Sequence, residues 1–192
     1  MKHNSLPAAL LAATTLATAG ACAQAQTPPD ARRSAWMPSG LSAQAGRTRD
    51  GTAIAVLGLQ WHSGWRYDWW GGQLGYSTEA QLGHWRVDGA GGRESYTQLA
   101  VLPLLRNHFD GGRSPWFVEA GIGLTLNDNV YRSRDKQFST AVNFLDVLGL
   151  GYRFGAAREH ELGLRLAHIS NANIKKPNPG TDTILVRYAY RF

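Results

Sequence analysis

Long segments in which apolar residues alternate with small or polar ones constrain this chain more than any other feature. Around 115–127, one face carries apolar residues at every second position: Trp116, Val118, Ala120, Ile122, Leu124 and Leu126. The opposite face carries Phe117, Glu119, Gly121, Gly123 and Thr125. The same period of two recurs near 138–154 and 183–192, and it is typical of β-strands rather than helices. The sequence therefore predicts an all-β fold.

Eight candidate strands follow residue 38, separated by Gly, Asp, Asn or Pro. They are predicted near 39–48, 52–62, 72–86, 94–107, 115–127, 138–154, 160–171 and 183–192, with Pro103 interrupting the fourth. In a soluble sandwich the apolar face would form the core, whereas in an outer-membrane barrel it would meet lipid. The strand lengths, the C-terminal Phe192 and the Trp/Tyr cluster at 61–70 favour the second. We predict an eight-stranded antiparallel transmembrane β-barrel of the bacterial outer membrane.

The N-terminus has the pattern of an export signal. Lys2 and His3 precede an Ala/Leu/Thr stretch that is too short to cross a bilayer as a helix, and small residues then offer cleavage after Ala23 or Ala25. We predict a signal peptide at 1–23, an irregular lead-in at 24–38 and the barrel at 39–192. Cys22 is the only cysteine, so cleavage after Ala23 leaves no thiol for catalysis or disulfides. Lipidation of Cys22 is a less favoured alternative.

Two polar residues continue an apolar row near the C-terminus. His168 and Ser170 have the same parity as Leu162, Leu164 and Leu166. Residues i and i+2 of a strand point the same way, about 6.5–7 Å apart, so an imidazole can reach a serine hydroxyl. Asp182 has the outward parity of the last strand and is expected beside His168. Serine, histidine and an acid are the residue types of nucleophilic catalysis, and on an outer barrel wall they would be accessible to a lipid substrate.

The stretch HISNANIKKPNPGTD, residues 168–182, closely resembles the active-site segment of the PagL-type lipid A 3-O-deacylases. These are outer-membrane esterases on an eight-stranded barrel, and PWFVEAGIG and NFLDVLGLGYRF resemble their middle strands more loosely. The resemblance implies that His168 is the base, Ser170 the nucleophile and Asp182 the orienting acid, where the family usually has glutamate.

The resemblance also implies that the segment after the serine stabilises the oxyanion. Asn171 matches an asparagine of the family, and Asn173 stands where glycine is common. Asparagine is the non-glycine residue that best tolerates a positive φ, so a backbone N–H donor is expected to survive there. The basic loop residues Arg132, Arg134, Lys175 and Lys176 are candidates for contacts with lipid A phosphates, with ordinary solvated loop charge as the alternative.

The implied function is hydrolysis of the acyl ester at the 3-position of lipid A, with lipid A and outer-membrane lipids as partners. An outer-membrane phospholipase using the same residues, or a non-catalytic barrel serving structure or adhesion, remains an alternative. The formal net charge of +6 could suggest nucleic acid, but export and the dispersed basic residues argue against it. The sequence leaves a homodimer open.

No nucleophile-elbow, zinc-protease or phosphate-loop motif is present in the sequence, so we expect neither a cofactor nor a metal. Four further histidines are scattered singly and are expected at the membrane interface or in loops: His62, His84, His108 and His160. The stretch WHSGWRYDWW, residues 61–70, is expected at the periplasmic turn between the second and third strands, as part of an aromatic girdle.

Overall fold

A computed structural model of the chain describes residues 36–89 and 92–192. They form eight strands: β1 (Gly40–Thr48), β2 (Ala53–Trp69), β3 (Gly72–Gly89), β4 (Gly92–His108), β5 (Trp116–Asn127), β6 (Val142–Phe154), β7 (His160–Ser170) and β8 (Thr181–Arg191). A short 3₁₀ turn, Asp110–Gly112, follows β4. The predicted signal peptide at 1–23 and most of the lead-in at 24–38 lie outside the described residues. Within the described part of the chain, no helix is long and apolar enough to cross a membrane.

Each strand pairs with the next one in sequence, and β1 pairs antiparallel with β8, which closes the barrel. The predicted eight-stranded antiparallel barrel is therefore confirmed. We call the end that carries Gly40 and Phe192 the terminal end and the opposite end the far end. Connections at the far end include the two longest, 128–141 and 171–180. Long extracellular loops and short periplasmic turns are typical of outer-membrane barrels, so the far end is expected to face outward.

The two faces of the strands differ sharply in chemistry. Large apolar side chains cover the outside of the barrel, and many are half exposed or more, for example Leu57, Ile122, Leu148, Leu164 and Ile184. Such a wall is unfavourable in water and suits the hydrocarbon of a bilayer. The inward face is filled by small, polar and charged residues, as expected for a barrel with a narrow interior.

Six buried charged residues form one network of ion pairs through the interior, with acidic and basic residues in alternation: Glu79, Arg165, Glu119, Arg106, Glu161 and Arg187. Arg165 joins the first two carboxylates, with nitrogen–oxygen distances of 2.9 Å to Glu79 and 2.6 Å to Glu119. Arg106 joins Glu119 at 2.6 Å to Glu161 at 3.0 Å. Three positive charges balance three negative ones, which is how buried charges become tolerable in a low-dielectric interior.

The far half of the interior is instead apolar and is closed by the β5–β6 loop. Tyr131 and Phe138 of that loop are buried in the hydrophobic core, with their ring centroids 5.2 Å apart, and Tyr131 also packs edge-on against Trp85 at 5.5 Å. The Tyr131 hydroxyl lies 2.7 Å from Oγ1 of Thr52 and donates to Oδ2 of Asp50 at 3.0 Å. The loop is thus anchored inside the barrel rather than lying loosely over it.

The structure changes several details of the predicted strands. The 61–70 stretch is not mainly a turn, because β2 continues to Trp69 past an irregular register between His62 and Arg66, and the turn is Trp70–Gly71. Pro103 does not interrupt β4, which pairs with β3 throughout. Pairing of β4 with β5 does skip residues 102–104, because proline has no N–H to donate.

Two of the scattered histidines are also placed differently from the prediction. His62 and His108 were expected at the membrane interface or in loops, but both follow the inward parity of their strands, and His62 Nε2 and His108 Nδ1 are buried. Alternation places them inside, since Gln60 and Arg106, two residues earlier, are buried.

Candidate active site

His168 and Asp182 form a contact on the outer wall near the far end of the barrel. They are paired in register between β7 and β8, so their side chains leave the sheet side by side. Nδ1 of His168 lies 2.7 Å from Oδ1 of Asp182. The two side chains are 45% and 64% exposed, respectively. The predicted parity of Asp182 is therefore confirmed, and the imidazole has a carboxylate on its Nδ1 side.

Ser170 is the last residue of β7 and lies two positions beyond His168 on the same outward face. It is partly buried, and its register partner on β6 is Phe144. With Nδ1 of His168 turned towards Asp182, Nε2 is the imidazole nitrogen left for a proton from the serine. The strand pleat places the three residues predicted as a triad on the same outward face, and within the described part of the chain no hydrogen bond joins Ser170 to His168.

The chain turns sharply directly after Ser170. Ala172 and Asn173 have φ values of 51° and 62°, and the N–H of Ile174 donates to the carbonyl of Asn171 at 3.0 Å. The positive φ expected for Asn173 is thus found. Among the residues that the structure describes, none accepts a hydrogen bond from the N–H of Ala172 or of Asn173. Two backbone donors are therefore available within three residues of the serine.

The side chain of Asn171 has a different position from that of Ser170. It follows the opposite parity and is buried, and its Nδ2 donates to Oγ of Ser139 at 2.9 Å and to the carbonyl of Lys175 at 2.8 Å. The N–H of Asn171 donates to Oδ1 of Asn178 at 3.0 Å. In this arrangement the Asn171 side chain fastens the β7–β8 loop to the β5–β6 loop. Asn178 was not predicted from the sequence, although it lies in the segment 168–182 that resembles the family's active site.

Gly180 packs against the imidazole from the end of the same loop. Its φ is +59°, and a Cβ built on it would lie 2.8 Å from Cε1 and 3.2 Å from Nε2 of His168. Its carbonyl accepts a hydrogen bond from Nζ of Lys136 at 3.1 Å. Neither contact was predicted from the sequence. A glycine two residues before the acid was the available signal for the first, whereas nothing in the local sequence points to Lys136.

Asp146 is a second acid beside the histidine and was also missed. It lies on β6 as the register partner of His168, so the imidazole has a carboxylate residue on each neighbouring strand. Both acids and His168 line a groove of about 910 Å³ on the outer wall, whose floor includes Ile122, Leu148, Leu166 and Ile184. A charged residue in the apolar row of a lipid-facing strand was the signal for Asp146.

The four basic residues predicted to contact phosphates fall into two groups. Lys175 and Lys176 are exposed in the β7–β8 loop, which starts at the residue after Ser170. Arg132 and Arg134 instead line a separate polar pocket with Gly89 and Glu94. The described residues include no group of three or more His, Cys, Asp or Glu side chains with metal-binding geometry. The expectation of no metal stays a prediction.

The sequence and the fold were compared with known proteins. The sequence model described as lipid A 3-O-deacylase (PagL) matches residues 55–191. Lipid A deacylase PagL of Bordetella bronchiseptica is 40% identical over 77 residues, which are 40% of this chain and 42% of that protein. Lipid A deacylase PagL of Pseudomonas aeruginosa is 31% identical over 149 residues, which are 77% of this chain and 83% of that protein.

The fold comparison agrees with the sequence comparisons. A crystal structure of the outer membrane enzyme PagL aligns with a TM-score of 0.68 and 28% identity, covering 80% of this chain and 99% of that one. The predicted outer-membrane location is confirmed by this likeness together with the apolar wall. The family match extends over most of the barrel, well beyond the segment 168–182. This chain belongs to the lipid A 3-O-deacylase (PagL) family.

Proposed function

We propose that this barrel is a serine esterase that removes the ester-linked acyl chain at the 3-position of lipid A. The contact between His168 and Asp182, two positions from an outward-facing serine, carries the mechanistic part of the proposal. The family match supports the reaction and the substrate. Position on the outer wall supports a substrate that reaches the site from the membrane, because a water-soluble ester would not partition there.

In the proposed mechanism, Ser170 is the nucleophile, His168 the general base and Asp182 the acid that orients the imidazole. Oγ of Ser170 attacks the ester carbonyl, and its proton passes to Nε2 of His168. The tetrahedral intermediate collapses, the proton is delivered to the departing 3-oxygen of the sugar, and the acyl chain stays on Ser170. Water, deprotonated by His168, then attacks the acyl-enzyme and releases the fatty acid.

The oxyanion would be stabilised by backbone N–H groups of the turn after Ser170. The N–H groups of Ala172 and Asn173 are suited to this because they have no acceptor among the described residues. Preorganised backbone donors need no reorganisation when the negative charge develops. The Asn171 side chain contributes by holding the turn, since its Nδ2 is occupied by Ser139, Thr140 and Lys175.

The surroundings of the triad suit an amphipathic substrate. The groove beside His168 presents mainly apolar lining, which favours an acyl chain lying along the wall. Lys175 and Lys176 stand above the wall in the loop and would interact with lipid A phosphates as point charges. Arg132 and Arg134 are kept as weaker candidates for the same contact, because they line a pocket of their own.

Mass spectrometry of lipid A from cells expressing this protein, beside a Ser170→Ala control, tests the proposal. We expect the wild type to remove one 3-hydroxyacyl chain and the variant to lose roughly 10³-fold or more of this activity. Both proteins must be shown to be folded in the outer membrane. Intact lipid A in both samples would reject the deacylase activity, and deacylation by Ser170→Ala at the wild-type rate would reject the nucleophile.

A further inference from the structure

A polar cavity lies inside the barrel at the terminal end, at the opposite end from Ser170. Its volume is about 180 Å³, and its lining includes four arginines and two histidines: Arg66, Arg106, Arg153, Arg191, His62 and His108. These residues come from β2, β4, β6 and β8, so the cavity is built by the barrel itself rather than by one loop. It has no part in the mechanism proposed above.

The cavity has an excess of positive charge. None of its lining residues is acidic. The positive charge of Arg106 is neutralised by Glu119 and Glu161 in the network of six buried charges. Arg153 has no such match among its hydrogen bonds, because its Nη2 donates to the neutral carbonyls of Gly112 and Ser114, at 3.4 and 3.3 Å. A guanidinium that faces a confined space with only neutral acceptors favours an anion there.

Unpartnered nitrogen atoms point to the same conclusion. Nη2 of Arg106, a residue only 2% exposed, has no hydrogen-bond partner among the described residues. The same holds for Nε of Arg153, Nε2 of His62 and Nδ1 of His108, all of them buried. The two arginine nitrogens are donors, whereas the role of each histidine nitrogen depends on its tautomer. A buried donor without an acceptor is costly, because it loses its water on folding. The two arginine donors and the two histidine nitrogens all belong to residues that line one cavity.

We propose that this cavity binds a tetrahedral oxyanion of the phosphate class. Its volume corresponds to roughly six water molecules at about 30 Å³ each, which leaves space for a phosphate ion and some water. Guanidinium groups bind phosphate oxygens through charged, paired N–H donors. A bound oxyanion would offset the excess charge of Arg153 and satisfy Nη2 of Arg106. The ion would therefore stabilise the terminal end of the barrel.

The test is titration of the full-length barrel, folded in detergent micelles, with inorganic phosphate at constant ionic strength. We expect saturable binding of one phosphate per chain by calorimetry, and a thermal unfolding midpoint that rises with phosphate concentration but not with chloride. The Arg153→Gln variant should weaken binding at least tenfold. Arg153→Lys should bind with intermediate affinity, because it keeps the charge and loses the planar fork.

Arg93→Gln is the matched control, since it also removes one arginine charge but from an exposed position at the far end of β4. It should bind phosphate like the wild type. If Arg153→Gln fails to fold, Arg191→Gln takes its place. Absence of saturable binding to the folded wild type would mean that water alone fills the cavity and would overturn the proposal. Equal binding by Arg153→Gln and the wild type would place the phosphate elsewhere and overturn it too.

Discussion

Nδ1 of His168 lies 2.7 Å from Oδ1 of Asp182, and the two residues are direct register partners on neighbouring strands. The resemblance of segment 168–182 implies glutamate at the acid's position, and a glutamate side chain is one methylene longer. In this chain the register brings the aspartate within hydrogen-bond distance without the extra methylene. The orientation of the imidazole is thus set by strand pairing.

Asp182→Asn is expected to lower kcat by about 10²-fold with little change in KM, because the amide cannot stabilise the imidazolium that forms during attack. The loss should be smaller than the ~10⁴-fold seen when a buried triad aspartate is changed, since Asp182 is 64% exposed and screened by water. Steady-state kinetics on purified lipid A in mixed micelles measure this. An unchanged kcat would remove Asp182 from the mechanism.

Two further variants distinguish the acids beside the histidine. Asp146 is the register partner of His168 on β6, but within the described part of the chain no hydrogen bond joins the two side chains. Asp146→Asn should therefore cost less kcat than Asp182→Asn. Asp182→Glu should keep activity within about tenfold, because a carboxylate stays next to Nδ1. The reverse order of the two asparagine variants would assign the orienting role to Asp146.

Gly180→Ala is expected to lower kcat by about 10- to 100-fold while the barrel still folds. The added Cβ would meet Cε1 of His168 at 2.8 Å, so the imidazole must move away from its position, and displacements near 1 Å at a catalytic group cost about this much. Folding can be followed by the mobility shift of the unheated barrel in gel electrophoresis, beside kinetics on lipid A.

Gly51→Ala is the control that distinguishes contact with His168 from backbone strain. Gly51 also has a positive φ, +88°, at the same end of the barrel, but a Cβ there meets nothing within 4 Å. It should therefore show the modest stability cost of an alanine at positive φ and keep the wild-type kcat. Equal losses of kcat in the two variants would mean that strain, and not contact with His168, causes the effect at Gly180.

Parity explains why so much of this site could be predicted from the sequence. On a strand, every second residue shares a face, so the outward positions of His168 and Ser170 follow from the leucines before them. Predicting the position of Asp182 needed one further assumption, the register of β8, and the structure supports it. The number of strands follows from the same alternation.

Contacts that depend on loop conformation could not be predicted in this way. Lys136 reaches Gly180 across 44 positions of sequence, and Asn171 bridges to Ser139 across 32, so neither has a local pattern. The end of β2 was missed for another reason: the irregular register between His62 and Arg66 breaks the alternation that defines a strand.

The lysines of the β7–β8 loop should act on substrate binding rather than on chemistry. Replacing Lys175 and Lys176 together with glutamine is expected to raise KM for lipid A by roughly fivefold per lysine, at about 1 kcal/mol for each charge near an anionic surface. Lipid A stripped of its phosphates should show no such change. The Arg132→Gln/Arg134→Gln double variant removes the same charge from the separate pocket and should have the smaller effect. A larger effect of the arginine pair would reverse this assignment.

Tyr131→Phe should destabilise the barrel by about 1 kcal/mol, because the lost hydroxyl bonds to Thr52 and Asp50 while the ring packing is kept. Burial, followed by the negative charge of Asp50, raises the pKa of Tyr131 to about 12, above the ordinary value of 10.0. A raised pKa favours the neutral phenol in the folded state. Its contribution to stability is therefore complete below about pH 10 and is lost as the pH rises towards 12.

The difference in unfolding free energy between wild type and Tyr131→Phe should thus be constant from about pH 7 to 10 and should shrink between about pH 10 and 12. Urea unfolding in micelles, followed by tryptophan fluorescence at each pH, measures it. The other tyrosines are common to both proteins, so their titration cancels in the difference. A difference that stays constant to pH 12 would mean that Tyr131 ionises as freely in the folded barrel as in the unfolded chain. The β5–β6 loop would then not be anchored by a buried phenol.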